Sequence, residues 1–157
     1  MVIGDFFPAE DKKRLFREQW QPGNIFHLFC DFTKPPKNKY LLLICVDPEP
    51  LFFIINSEIN EYVRKNKHLL NCQVSLPQAE HDFLIRDSYI DCQGIIKNFN
   101  FEMVEKQIMQ EMHKIKGSLS LGTKAQVIET VQFAKTLSAE EKSLILQAMV
   151  ESCETIF

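Results

Sequence analysis

Glycine is scarce in this chain, five in 157 residues, and tryptophan occurs once. The sequence holds no glycine-rich phosphate loop, no dinucleotide fingerprint, no Gly-x-Ser-x-Gly and no His-Glu-x-x-His. These absences argue against phosphate-loop enzymes, serine-elbow hydrolases and helical zinc proteases. The five cysteines (Cys30, Cys45, Cys72, Cys92, Cys153) are odd in number and never form Cys-x-x-Cys. That is neither a disulfide framework nor a zinc signature, and the apolar neighbours of most of them predict buried free thiols. The four histidines, His27, His68, His81 and His113, lack ligand spacing, so no metal and no cofactor is expected. No apolar run approaches the length of a membrane span and no basic-then-apolar leader opens the sequence, which gives the expectation of a soluble, cytoplasmic protein without a membrane partner.

What is present is enough for a real core. Hydrophobic residues make up 45% of the chain and charged residues 25%, a globular rather than a disordered balance. Thirteen phenylalanines stand against three tyrosines, so much of the interior should be rings that need no polar partner. The formal net charge of −3 confines any nucleic-acid contact to a local patch.

Proline, then acids, then bases over Phe6 to Trp20 predicts a helix, with Leu15, Phe16 and Trp20 as its docking side. The stretch from Gly23 to Ile59 then reads as three strands. In the first, Ile25, His27, Phe29 and Asp31 alternate with Phe26, Leu28, Cys30 and Phe32, and the second set should face the core. His27 and Asp31 either meet solvent or line a concave surface. Thr33 to Lys39 is a proline- and lysine-rich loop. Tyr40 to Val46 suits a strand buried on both faces, and Asp47-Pro48-Glu49-Pro50 turns the chain into the strand Leu51–Ile55. Glu58 to Lys67 is polar, a short helix or an irregular crossing, and Arg64, Lys65, Lys67 and His68 form a basic cluster there. Leu69–Leu76, Phe83–Ile85 and Ser88–Ile96 are further strands, a pattern of small barrels and sandwiches. Beyond Asn98 the period becomes helical. Val104, Ile108, Met112 and Ile115 predict a helix closed by Gly117. Thr123 with Gln126 and Ser138 with Glu141 look like capping boxes opening two more. The expected organisation is a β-barrel domain with its N-terminal helix over 1–98 and a helical extension packed on it over 99–157.

Polar residues gather at the strand ends. Antiparallel pairing across the Asp47–Pro50 turn should bring Lys39 beside Ser57, a cation and a hydroxyl able to hold a phosphate. The order and type of the residues resemble those of the PemK/MazF toxin family. The matching pieces are Gly23-Asn24-Ile25, Lys39-Tyr40-Leu41-Leu42-Leu43-Ile44, Ile55-Asn56-Ser57, and Asp82-Phe83-Leu84 to Asp87-Ser88-Tyr89-Ile90, within roughly Gly23 to Gln147. The resemblance implies an α+β fold built on a small antiparallel SH3-like barrel. It also implies a homodimer acting on single-stranded RNA as a metal-independent endoribonuclease, neutralised by an antitoxin protein. The family's arginine falls at Lys39 and its hydroxyl at Ser57, and lysine keeps the charge while losing the planar fork. His81 is not a family position. It is a candidate proton shuttle if it lies near Lys39. Lys37, Asn56 and Arg64 are the expected nucleic-acid contacts. The alternative is a non-catalytic barrel, a protein- or nucleic-acid-binding regulatory module that kept the fold without the arginine.

Overall fold

The computed structural model describes residues 8–154, with the side chains of 153 and 154 left out. The expected helix start at Phe6 and the Cys153 thiol lie outside what is described. The first helix, α1 (Ala9–Gln19), starts behind Pro8 and carries Glu10 and Asp11 in its first turn and Arg17 in its last, the order its dipole favours. Phe16 is fully buried and Trp20 packs beside it, but Leu15 is 41% exposed and does not dock.

Three strands follow in the expected order: β1 (Asn24–Cys30), β2 (Lys37–Cys45) and β3 (Leu51–Asn56). Lys37 to Lys39, expected in the loop, belong to β2, because they pair with Leu28 to Cys30 of β1. The polar crossing then folds into two short helices, α2 (Glu61–Lys65), capped by the Asn60 side chain, and α3 (Lys67–Leu70). The strand expected over Leu69–Leu76 is therefore shorter, β4 (Gln73–Leu76), because α3 takes its first residues. Phe83–Ile85 is not a strand. It lies in a loop pinned by hydrogen bonds from the Gln78 N–H to Asp87 and from the Tyr40 hydroxyl to the Phe83 carbonyl. The next strand, β5 (Ser88–Ile96), has its expected bounds.

The C-terminal third departs further from expectation. Helix α4 (Phe101–Gln110) stops where Glu111 turns extended, so Met112 falls in a separate 3-10 turn (Met112–Lys114) and Ile115 lies beyond any helix. Ile115 opens a sixth strand, β6 (Ile115–Ser118), which pairs with β1. Gly117 closes no helix. Its φ of 100° serves that pairing, which shifts register between Ile25 and Phe26. Helix α5 (Leu121–Phe133) is capped by Ser120, whose hydroxyl accepts from the Thr123 N–H, so Thr123 sits one turn inside rather than at the cap. The Ser138–Glu141 box opens α6 (Ala139–Glu154) reciprocally: the Ser138 N–H donates to Glu141 at 2.9 Å and the Glu141 N–H to Ser138 at 3.1 Å.

The strands form one antiparallel sheet in the order β4-β5-β3-β2-β1-β6, curled into a half-barrel, so the expected α+β fold with a small barrel is the one adopted. Alternation sends side chains to two faces, and helices cover both. Phe26, Leu28, Cys30, Leu41, Leu43 and Phe52 pack with α1 and α4 into a cluster rich in rings. Leu42, Ile44, Phe53, Ile55, Ile90 and Cys92 pack with α5 and α6 into a mostly aliphatic one. Leu41 to Ile44 are fully buried, as a strand covered on both faces requires. Ile25, expected on the solvent side, is also buried, since α5 and α6 cover that end. Cys30, Cys45, Cys72 and Cys92 are buried free thiols, and desolvation raises all four, Cys30 to about 11. Gly23, with φ at 100°, lets the Lys124 stem cross it. A Cβ there would sit 2.7 Å from Lys124 Cε. Among the described residues no helix is long and apolar enough to cross a membrane.

Candidate functional site

The α5–α6 pair covers only part of its face. At the other end β1 and β2 pair His27 with Tyr40, and their rings stack at 4.3 Å between centroids, 22° from parallel. Tyr40 meets Phe83 at 4.9 Å, and Phe83 meets His81 at 5.3 Å. Lys116 of β6 stands 6.0 Å from the centre of the Phe83 ring, the outer limit for attraction to a ring face. His27, Tyr40, Phe83 and Lys116 are all partly open to solvent, and Phe29, one pair further along the same face, is 46% exposed. The result is a row of rings with cations beside it.

Burial lowers the His27 pKa, and the nearby Lys116, Lys114 and His113 push the same way against Glu111. Burial also lowers that of Lys116. The loop carrying Phe83 is held from the far side, where Glu80 accepts from the Thr123 hydroxyl at 3.1 Å and from Ser120 at 3.4 Å, near the N-terminus of α5.

Next to the row, where β2 begins and β3 ends, is a hollow of about 260 Å³. Lys37, Lys39, Ser57, Arg86 and Ser88 border it, with Ile85 standing 86% exposed on its rim. Lys39 and Ser57 thus share a hollow, but the Lys39 ammonium donates to Asn56 Oδ1 at 2.9 Å. Along β2 the Lys39 side chain falls on the face of Leu41 and Leu43, opposite Tyr40. Burial is the first cause lowering its pKa and Lys37 the second.

The remaining expected residues are dispersed. His81 is only 8% exposed, is not among the residues bordering the hollow, and its Nε2 has no hydrogen-bond partner among the described residues. It packs against Phe83, and burial is again the first cause lowering its pKa. Lys37 is at the hollow and Asn56 is committed to Lys39. Arg64 lies on α2, where its Nε donates to the Ile59 carbonyl, away from the row and the hollow.

Sequence reasoning missed Tyr40, Phe83, Arg86 and Lys116. Tyr40 looked like the first residue of a buried run. Its neighbour across β1, His27, was the one available signal, as a polar residue alternating on that face. Set against family models, curated proteins and solved structures, the chain matches none of them.

Proposed function

We propose that the chain is a non-catalytic module that binds single-stranded RNA along the His27–Tyr40–Phe83 row. One observation carries this reading: three adjacent rings lie partly open, with Lys116 beside Phe83 and, next to Tyr40, a hollow bordered by Lys37 and Arg86. Bases stack on such rings whatever their identity, and cations at the ends take the phosphates. A protein of net charge −3 binds RNA only where basic groups are gathered, as they are here. The resemblance to a family of RNA-acting barrels points to the same class of ligand.

The test is anisotropy of a labelled oligouridylate in EDTA. Tyr40→Ala or Phe83→Ala should weaken binding about tenfold or more, the worth of one stacked base. Lys37→Ala should flatten the salt dependence by about one phosphate contact without regard to base sequence. No binding by the intact chain at low salt would sink the reading.

The shared hollow of Lys39 and Ser57 favours a second reading, the metal-independent endoribonuclease of the toxin type, with Arg86 as the planar cation that Lys39 is not. The same samples decide between the two. Cleavage of the oligonucleotide that disappears in Ser57→Ala and Arg86→Ala establishes the enzyme. Intact oligonucleotide after prolonged incubation establishes the binder.

A further inference from the structure

A second concavity lies elsewhere, a groove of about 780 Å³ between the α2–α3 turn and the end of α5. Lys65, Lys67 and His68 form one wall, with Glu129, Phe133 and Lys135 on the other. We propose that this groove docks an acidic protein segment carrying apolar side chains. The proposal is independent of the RNA reading.

Charge is the first argument. Three lysines and a histidine face a single carboxylate, in a chain whose overall sign is the reverse. None of Lys65, Lys67 and Lys135 has an ion-pair partner among the described residues, although exposed pairs do form elsewhere, as between Arg86 and Glu58 at 3.5 Å. Unpaired ammonium groups along both walls complement carboxylates at intervals on a partner. The second argument is Phe133. It stands 75% exposed at the groove, one helical turn beyond Glu129. A lone open ring in a charged groove is the kind of anchor that buries well against a partner's aliphatic side chain.

The same residues select protein over nucleic acid. A phosphodiester strand carries a charge at every residue and would lie against Glu129, whereas a peptide can set a neutral side chain there. Among the described residues Phe133 also has no neighbouring ring at stacking distance, unlike the His27–Tyr40–Phe83 row. Stacked bases need successive platforms.

The probe is a fluorescein-labelled peptide alternating glutamate with leucine, beside a control with glutamine for every glutamate. The acidic peptide should bind at least about tenfold more tightly than the control, and the Lys65→Glu/Lys67→Glu protein should lose about tenfold or more of that affinity. Phe133→Ser should cost about fivefold. If the charge reversal does not fold, Lys65→Gln/Lys67→Gln gives the same ranking with smaller losses. Labelled oligouridylate binding should be unchanged in these variants, which separates this outcome from failure of the RNA site. Equal binding of the two peptides, or indifference to both double substitutions, overturns the proposal. So does oligouridylate affinity falling as far as peptide affinity, which would assign the groove to nucleic acid.

Discussion

Two groups of rings lie on opposite faces of one sheet. Beneath α1 and α4, Phe16, Trp20, Phe26, Phe52, Phe99 and Phe101 meet at centroid distances of 5.3 to 6.2 Å. Their geometry is tilted or edge-on, as packed cores prefer. On the other face His27 and Tyr40 stack nearly parallel at 4.3 Å, with Phe83 beside them and lysine within reach. The first group is almost all phenylalanine and is sealed by two helices. The second is mixed with polar tips and left partly open where the α5–α6 pair ends. Side chains of one chemical class thus differ in what covers them, and under the proposed reading exposure and company separate stability from binding better than residue type does.

That division can be broken by substitution. Phe26→Ala empties a fully buried site among Phe16 and Trp20, and should cost about 3–5 kcal/mol in a urea unfolding experiment. RNA affinity of the fraction that remains folded should hardly move. Tyr40→Ala should do the reverse: most of its effect belongs in binding, about tenfold or more, with a smaller loss of stability because its ring is only partly buried. A Tyr40→Ala protein that unfolds as readily as Phe26→Ala, with unchanged RNA binding, would make the open row a piece of core.

How much of this was legible in advance follows from how local each signal is. Period-two alternation and the proline turn marked β1, β2 and β3, and the Ser138–Glu141 box marked α6, because each depends on residues adjacent in the chain. β6 was hidden. Ile115 continues the apolar spacing of α4, and nothing nearby reveals that β1 lacks a partner on that side. The capping signal at Thr123 was misplaced by one turn for a related reason, since Ser120 and Thr123 both hydrogen-bond toward Glu80 from a distant loop. Among the candidate residues, strand pairing alone brought Lys39 and Ser57 together, and Lys37 was marked only as a basic residue of the loop before them. Arg86 joins their hollow, and Lys116 reaches Phe83, only through the tertiary fold.

A finer separation uses pH. His27 in the open row and His81 behind it both have folded-state values below the ordinary 6.5, burial being the first cause in each. The unfolded chain therefore takes up these protons first as pH falls. The stability they contribute is complete above about 6.5 and is lost on acidification toward the folded values. RNA binding should change the opposite way, because protonated His27 adds a cation beside the phosphates. His81→Phe should flatten the acid loss of stability and leave the pH slope of binding intact. His27→Phe should flatten the slope of binding. Identical effects of the two substitutions on both curves would erase the distinction between the sealed and the open histidine.

The smallest effect is expected where the two faces are physically joined. β6 pairs with β1 only as far as Phe26, and beyond it Gln107 of α4 takes over the open edge. Its Oε1 accepts from the Phe29 N–H at 2.8 Å and its Nε2 donates to the Phe29 carbonyl at 3.2 Å, so one side-chain amide stands in for a missing strand. Gln107→Leu removes both bonds, but the edge is exposed and water replaces them, so the loss should be only about 0.5–1.5 kcal/mol. Gln107→Glu keeps the acceptor and discards the donor, and should fall between. Amide exchange at Phe29 should quicken in both, and RNA affinity should drop by less than about threefold, since the edge bond only orients a ring at the end of the row. A loss as large as that in Tyr40→Ala would mean that α4, and with it the sealed face, governs the platform, and that the two groups of rings form one cooperative unit.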